Sequence, residues 1–280
     1  MWRLVGGSVS PRRPVRRAAA AALLAWLVIG CGSQSRPLPD VIPSAEESAG
    51  PEETGEPTPE PEAAPDDAFA FSPDPDKFPT TVEQALLLID LVQPEPTAIG
   101  PDFVAEEPAE SDPATWSTLD DACVQASGPL PDGVLASVSR YSRLPATGGG
   151  DGPARVRTVV TVHADEESAA AELTDTLEEA LRCPDREPGQ GESVTGLISL
   201  GNPAGSRGQV SADDQVYGTG EYRSDEFGGP YPYLSVISRS GPVTTAVSVN
   251  GTAAFDERAV SQASAQALVQ MQTTVQAALE

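Results

Sequence analysis

In the stretch RVRTVVTVHA, residues 155–164, apolar and polar side chains trade places along the chain. Val156, Thr158, Val160 and Val162 share one face, and Arg157 and His163 fall on the other, which is the period of a half-buried strand. Val243, Thr245, Val247 and Val249 repeat the pattern, so residues 233–240 and 243–250 read as a tight hairpin turned at Ser240-Gly241-Pro242. Val134, Ala136 and Val138 mark a further strand, linked to 155–162 through the Gly-rich loop ATGGGDGPA. Weaker strands fall at 193–200 and 214–223.

Elsewhere the apolar residues recur at helical spacing. Thr80-Thr81-Val82-Glu83 opens with a capping-box pattern, Val82, Ala85, Leu86 and Ile89 lie on one face, and Pro94 and Pro96 stop the helix. The acidic, Pro-rich residues 93–112 read as an irregular loop. A short helix over 113–124 would turn Trp116, Leu119 and Cys123 inward. Residues 164–183 form a helix with acids in the first turn, where the helix dipole favours them, and a stripe of Ala170, Leu173, Leu177, Ala180 and Leu181. Residues 256–279 close the chain as a long helix carrying Val260, Ala263, Ala267, Met271, Val275 and Ala278 on one side. The pattern predicts an α+β fold, an antiparallel β-sheet with helices packed on one face, the long C-terminal helix among them.

A different apolar run stands near the start. Five arginines and no acid occupy the first 17 residues, and Ala18 to Val28 is unbroken Ala, Leu, Trp and Val. This is the layout of a bacterial signal peptide, and the run falls short of the roughly 20 residues a bilayer span needs. Val28-Ile29-Gly30-Cys31 resembles the lipobox of bacterial lipoproteins. The resemblance implies cleavage before Cys31 and lipidation of its thiol, two or three acyl chains each adding about 0.8 kcal/mol per buried methylene. The expected leader is residues 1–30 and the expected location the outer face of the bacterial cell membrane.

Charge then limits the partners. The chain of 280 residues carries a net charge of −25, and without the leader it has 12 basic against 42 acidic side chains. Phosphate-rich nucleic acid is excluded as a partner by repulsion. Residues 33–76 hold ten prolines and 12 acids but one arginine, and cannot bury enough apolar surface to offset the entropy of ordering. Residues 31–77 are thus expected to be a disordered, self-repelling tether, reaching roughly 140 Å when extended. Residues 78–280 suffice for a single α+β domain. Ala, Gly, Pro and Arg dominate over the lone Lys77, a bias of GC-rich, actinobacterial genes.

Beyond the anchor, two thiols remain. In an oxidising compartment Cys123 and Cys183 are more often a disulfide than a nucleophile or a metal site. The single histidine, His163, falls on the polar face of its strand beside Asp165 and Glu166 and reads as solvent-facing surface rather than a catalytic base. No G-x-S-x-G elbow, H-E-x-x-H or C-x-x-C spacing occurs, and Gly218-Thr219-Gly220 fails the dinucleotide fingerprint. The acidic pairs Asp213-Asp214 and Asp225-Glu226 lack the loop pattern of a dedicated Ca²⁺ site. Neither a catalytic residue, a metal nor a cofactor is expected.

What stands out is a grouping of recognition-type residues: Arg140, Tyr141, Arg143, Tyr222, Arg223, Tyr231 and Tyr233. Separately, the lipobox, the acidic tether, ALLLIDL, the Trp116-to-Cys123 segment, the helix ending at Cys183, LISLGN and the Ala-rich final helix form a familiar arrangement. It resembles actinobacterial surface lipoproteins and the extracellular sensor domains of membrane serine/threonine kinases. That resemblance implies an α+β domain with a solvent-open cleft, a structural disulfide and ligand sensing without catalysis. The expected partners are the membrane, through Cys31, and a small polar ligand; the alternative is docking onto another envelope protein.

Overall fold

The computed structural model describes residues 71–146, 152–203 and 212–280. The expected leader, Cys31 with its lipobox, the tether as far as residue 70 and the tip of the Gly-rich loop lie outside the described residues. The elements are α1 (Val82–Val92), α2 (Pro96–Ile99), β1 (Val104–Glu110), β2 (Thr115–Leu119), β3 (Gln125–Pro129), β4 (Val134–Leu144), β5 (Ala154–His163), α3 (Glu166–Arg182), β6 (Arg186–Gly189), β7 (Glu192–Pro203), β8 (Asp214–Ser224), β9 (Gly228–Ser240), β10 (Val243–Asn250) and α4 (Glu257–Leu279). Eight strands form one curled antiparallel sheet in the order β1-β4-β5-β10-β9-β8-β7-β6, and β2 pairs with β3 in a separate hairpin. The fold is α+β, with the long C-terminal helix packed on the sheet.

Alternation in β5 and β10 does what its period predicts. Val156, Val160, Val162, Val243, Val247 and Val249 are buried in one core with Val260, Ala263, Ala267, Met271 and Val275 of α4. Two buried amides are tied into that core, as buried polar groups must be to avoid a desolvation cost. Gln272 of α4, fully buried, donates to Thr245 Oγ1 at 2.6 Å and accepts from Ser240 Oγ at 2.9 Å. Gln93, just past α1, donates to the Val138 carbonyl and accepts from Thr158 Oγ1. The β9–β10 turn is the expected one, with Gly241 at φ 58°, a left-handed conformation that glycine adopts without a Cβ clash.

α1 is capped one residue later than Thr80 and Glu83 suggest: Thr81 Oγ1 accepts from Gln84 N–H while the Gln84 side chain accepts from Thr80 N–H. Its inward face is Ala85, Leu88, Ile89 and Val92; Val82 stays exposed. α1, α2 and α4 contribute to the large core on one face of the sheet. α3 lies across the opposite face, where Leu173 and Leu177 meet Val216, Ile237 and Ala246. The sheet is therefore covered on both sides, and Leu181, placed on the stripe by spacing alone, is 84% exposed.

Two segments differ from the sequence reading. Residues 93–112 are not an irregular loop: they hold α2 and the edge strand β1, whose acids pair with arginines of the next two strands, Glu110 with Arg140 of β4 and Glu106 with Arg155 of β5. A charged edge with a proline resists pairing with another chain, which is why this strand looks like a loop in sequence. Residues 113–124 are not a helix either. Thr115, Trp116 and Thr118 are strand formers, and Asp120 Oδ1 accepts from the N–H groups of both Ala122 and Val124, closing a turn that ends in Cys123 at φ 62°.

Candidate functional site

The face of the sheet on the α3 side can be followed as transverse rows, because the strands are in register. One row runs Ser139, Val159, Ala246, Ile237, Val216 across β4, β5, β10, β9 and β8, and its apolar centre is what α3 covers. The next row runs Tyr141, Arg157, Ser248, Ser235, Gly218, Ser199. The row after that runs Arg143, Arg155, Asn250, Tyr233, Gly220. From these two polar rows, Tyr141, Arg157, Ser248, Ser235 and Ser199, with Arg155, Asn250 and Tyr233, floor a cleft of about 420 Å³ between the sheet, the C-terminal half of α3 and the β2–β3 hairpin.

The hairpin forms the cleft's wall through Trp116, Leu119 and Gln125. Three ties hold it there. Cys123 and Cys183 form a disulfide with Cα atoms 5.5 Å apart, Arg182 at the end of α3 donates to the carbonyls of Asp120 and Leu119, and Glu187 N–H donates to the Cys123 carbonyl. The bridge thus staples a hairpin to the central helix, where the sequence reading had a short helix in the hairpin's place.

Small residues deepen the floor. A Cβ at Gly218 would stand 2.7 Å from Ser235 Oγ and 3.1 Å from Ser199 Oγ, so those hydroxyls converge over the glycine. Among the described residues, no protein group hydrogen-bonds to the hydroxyls of Ser199, Ser235 or Ser248.

Charges on the lining are mostly compensated. Arg155 pairs with Glu106 at 3.0 Å and with Glu192, which also accepts from Tyr222 Oη at 2.7 Å. Burial, reinforced by that hydrogen bond, pushes the Tyr222 phenol well above its usual range. Arg186 reaches Glu179 at 3.4 Å, while its buried Nε has no partner among the described residues. Glu172 accepts from Thr244 Oγ1 at 2.5 Å and bonds His163 Nε2 at 2.9 Å. Arg157 differs: its Nε and Nη2 both donate to Ser139 Oγ, and no carboxylate of the described residues pairs with it.

Of the grouping read from sequence, Tyr141 and Tyr233 line this cleft. The other members are not brought together with them. Arg140 is held by Glu110 at 2.6 Å and by the carbonyls of Gln93 and Pro94, fastening β4 to β1 and the end of α1. Arg143, paired in register with Arg155 and with Val104 of β1, is not part of the cleft lining, Arg223 pairs with Glu221, and Tyr231 donates to the Phe227 carbonyl. Tyr222 is buried beside the cleft on Glu192. His163 is corrected outright, being 1% exposed beneath α3. The alternation placed it on the right face and could not show that a helix covers that face. Arg155, Trp116 and the serine row were missed, although the alternation already set Arg157 on the face opposite the valines.

Asp213 and Asp214 are occupied by Arg239, at 3.1 and 2.6 Å. Among the described residues no group of three or more His, Cys, Asp or Glu could hold a metal ion, and no helix is long and apolar enough to cross a membrane.

The architecture defines a class, an antiparallel α+β domain with a polar cleft walled by a disulfide-tethered hairpin. No family model and no curated protein matches the sequence. Among solved structures, the chain is similar to an uncharacterised Mycobacterium smegmatis protein described as the Rv0999 ortholog, at 11% identity and a TM-score of 0.28, spanning 63% of this chain and 97% of that one.

Proposed function

We propose that the protein is an extracytoplasmic lipoprotein, held to the cell membrane by the acylated Cys31, whose domain binds a small polar ligand and does not transform it. One observation carries the binding half of this reading. A cleft of about 420 Å³ is floored by hydroxyls with Arg155 and Arg157 and flanked by Trp116, Tyr141 and Tyr233. Ligand sites combine such concavity with a few convergent polar groups, and aromatic edges supply contact area at low entropic cost. The resemblance to kinase-linked sensor domains points the same way.

Thermal shift against soluble cell-wall fragments tests this half. A fragment that raises the melting temperature of the wild type and not of Tyr233→Ala supports it; shifts that are unchanged in Tyr233→Ala and Tyr141→Ala overturn the cleft as the site. For the anchor, mass spectrometry of the purified N-terminus is decisive. A diacylglyceryl group on Cys31, lost in Cys31→Ala, supports the lipoprotein reading, and an intact leader ends it.

Docking onto another envelope protein is the second reading. It is favoured by Ile198, Leu200 and Tyr217, which are 65%, 63% and 38% exposed on β7 and β8, with Leu200 and Tyr217 directly paired.

A further inference from the structure

The cleft's charge arrangement says what kind of ligand it takes. We propose that the cleft binds a small hydroxyl-bearing ligand with one anionic group, a carboxylate or a phosphate, and that Arg157 binds that group. The inference rests on the reading of the cleft as a ligand site.

Four carboxylates line the cleft, and each is already engaged: Glu106 and Glu192 by Arg155, Glu179 by Arg186, and Glu172 by His163 and Thr244. Arg157 sits in the middle of this lining with a hydroxyl as its acceptor. A guanidinium offers five N–H donors in a planar fork, and Ser139 Oγ takes one from Nε and one from Nη2. The remaining donors of Nη1 and Nη2 match the bidentate geometry of a carboxylate or phosphate edge. The lining sets four carboxylates against Arg155, Arg157 and Arg186, so the attraction for an anion is local to the Arg157 fork, which has no carboxylate of its own among the described residues and is costly to leave dehydrated without one.

Register supplies the rest of the ligand's shape. Arg157 is directly paired with Tyr141 on one side and Ser248 on the other, and Ser248 with Ser235, whose hydroxyl leans over Gly218 with that of Ser199. An anionic group on Arg157 would therefore extend its neutral portion along a line of free hydroxyls, with Tyr141 beside the charged end. The protein's own charge sets an upper limit. With 12 basic against 42 acidic side chains once the leader is removed, it repels polyanions, while a single charge bound within the cleft is screened from distant acids beyond a Debye length of about 8 Å.

The test uses a matched set on the full processed chain: glucose, glucuronate and glucose 6-phosphate, which share a sugar and differ in the absence, or the type, of the anionic group. Trp116 is the only tryptophan after residue 26, so its fluorescence reports on the cleft wall in a chain without the leader. Saturable change with glucuronate or glucose 6-phosphate, weakened at least about ten-fold in Arg157→Gln and unchanged in the exposed control Arg258→Gln, is the expected result. Which of the two anions binds more tightly separates a carboxylate ligand from a phosphate one. Equal binding of glucose, indifferent to Arg157→Gln, overturns the anionic inference and leaves the cleft reading standing. No saturable response to any of the three overturns both. Because Arg157→Gln removes a bond to Ser139, circular dichroism and the melting temperature of the variant are recorded alongside. Arg157→Lys, which keeps the charge without the fork, should fall between wild type and Arg157→Gln.

Discussion

Cys123 in the β2–β3 turn and Cys183 at the end of α3 are joined with their Cα atoms 5.5 Å apart, so the wall of the cleft and the helix beside it are covalently one piece. The hairpin has no place in the eight-stranded sheet, and its other ties are Arg182 to two carbonyls and a short contact with β6. That bridge is its covalent tie to α3.

Breaking the bridge should therefore have two separable effects. The sequence separation is 60 residues, for which restricting the unfolded chain stabilises by about 4 kcal/mol. Cys123→Ser/Cys183→Ser should lower unfolding free energy in urea by a few kcal/mol and, at temperatures where the domain remains folded, raise amide exchange in residues 115–129 more than in β5 or β10. Uniform exchange across the domain would show that the hairpin is held by its other contacts.

The buried Gln272 gives a prediction about the core. Gln272→Ala strands Thr245 Oγ1 and Ser240 Oγ and opens a cavity under α4, a loss of about 2–4 kcal/mol. Gln272→Leu fills the space without the bonds and should cost less. Adding Thr245→Val to Gln272→Leu should recover part of the loss, because it removes one stranded hydroxyl. Additive costs in the urea midpoints would contradict this coupling.

Tyr222 predicts a pH dependence. Burial and the hydrogen bond to Glu192 raise its phenol pKa in the folded protein above that of the unfolded chain, near 10. The unfolded chain then loses this proton first. The stabilisation is complete below pH of about 10 and fades as pH rises further, with stability falling in that window. Tyr222→Phe should flatten its share of the decline in urea midpoints measured from pH 8 to 12. An unaltered slope would mean the phenol ionises as readily folded as unfolded.

What was legible in the chain was what depends on neighbours in sequence. Alternation in residues 155–164 and 243–250 defined two strands and their buried valines, because the pleat puts every second side chain on one face. The 256–279 spacing yielded α4 and most of its core stripe for the equivalent helical reason. An even pair of thiols, in the oxidising setting that the leader leads one to expect, sufficed for the disulfide. Even the face on which Arg157 stands was present in the pattern.

Tertiary structure decided what covers each face and which residues meet across strands. Trp116, Leu119 and Cys123 fit a helical spacing, yet Asp120 closes a turn between them. The difference lies in two side-chain hydrogen bonds that periodicity does not record. His163 looked solvent-facing because alternation assigns a face without saying that α3 and Glu172 will lie on it. Arg140 and Tyr141, adjacent in sequence, point to opposite sides of the sheet and serve a clamp and a cleft respectively. The row from Tyr141 through Arg157, Ser248, Ser235 and Gly218 to Ser199 exists only because six strands pair in one register. No local pattern encodes it, since each member is an ordinary polar position in its own strand until the sheet sets them side by side.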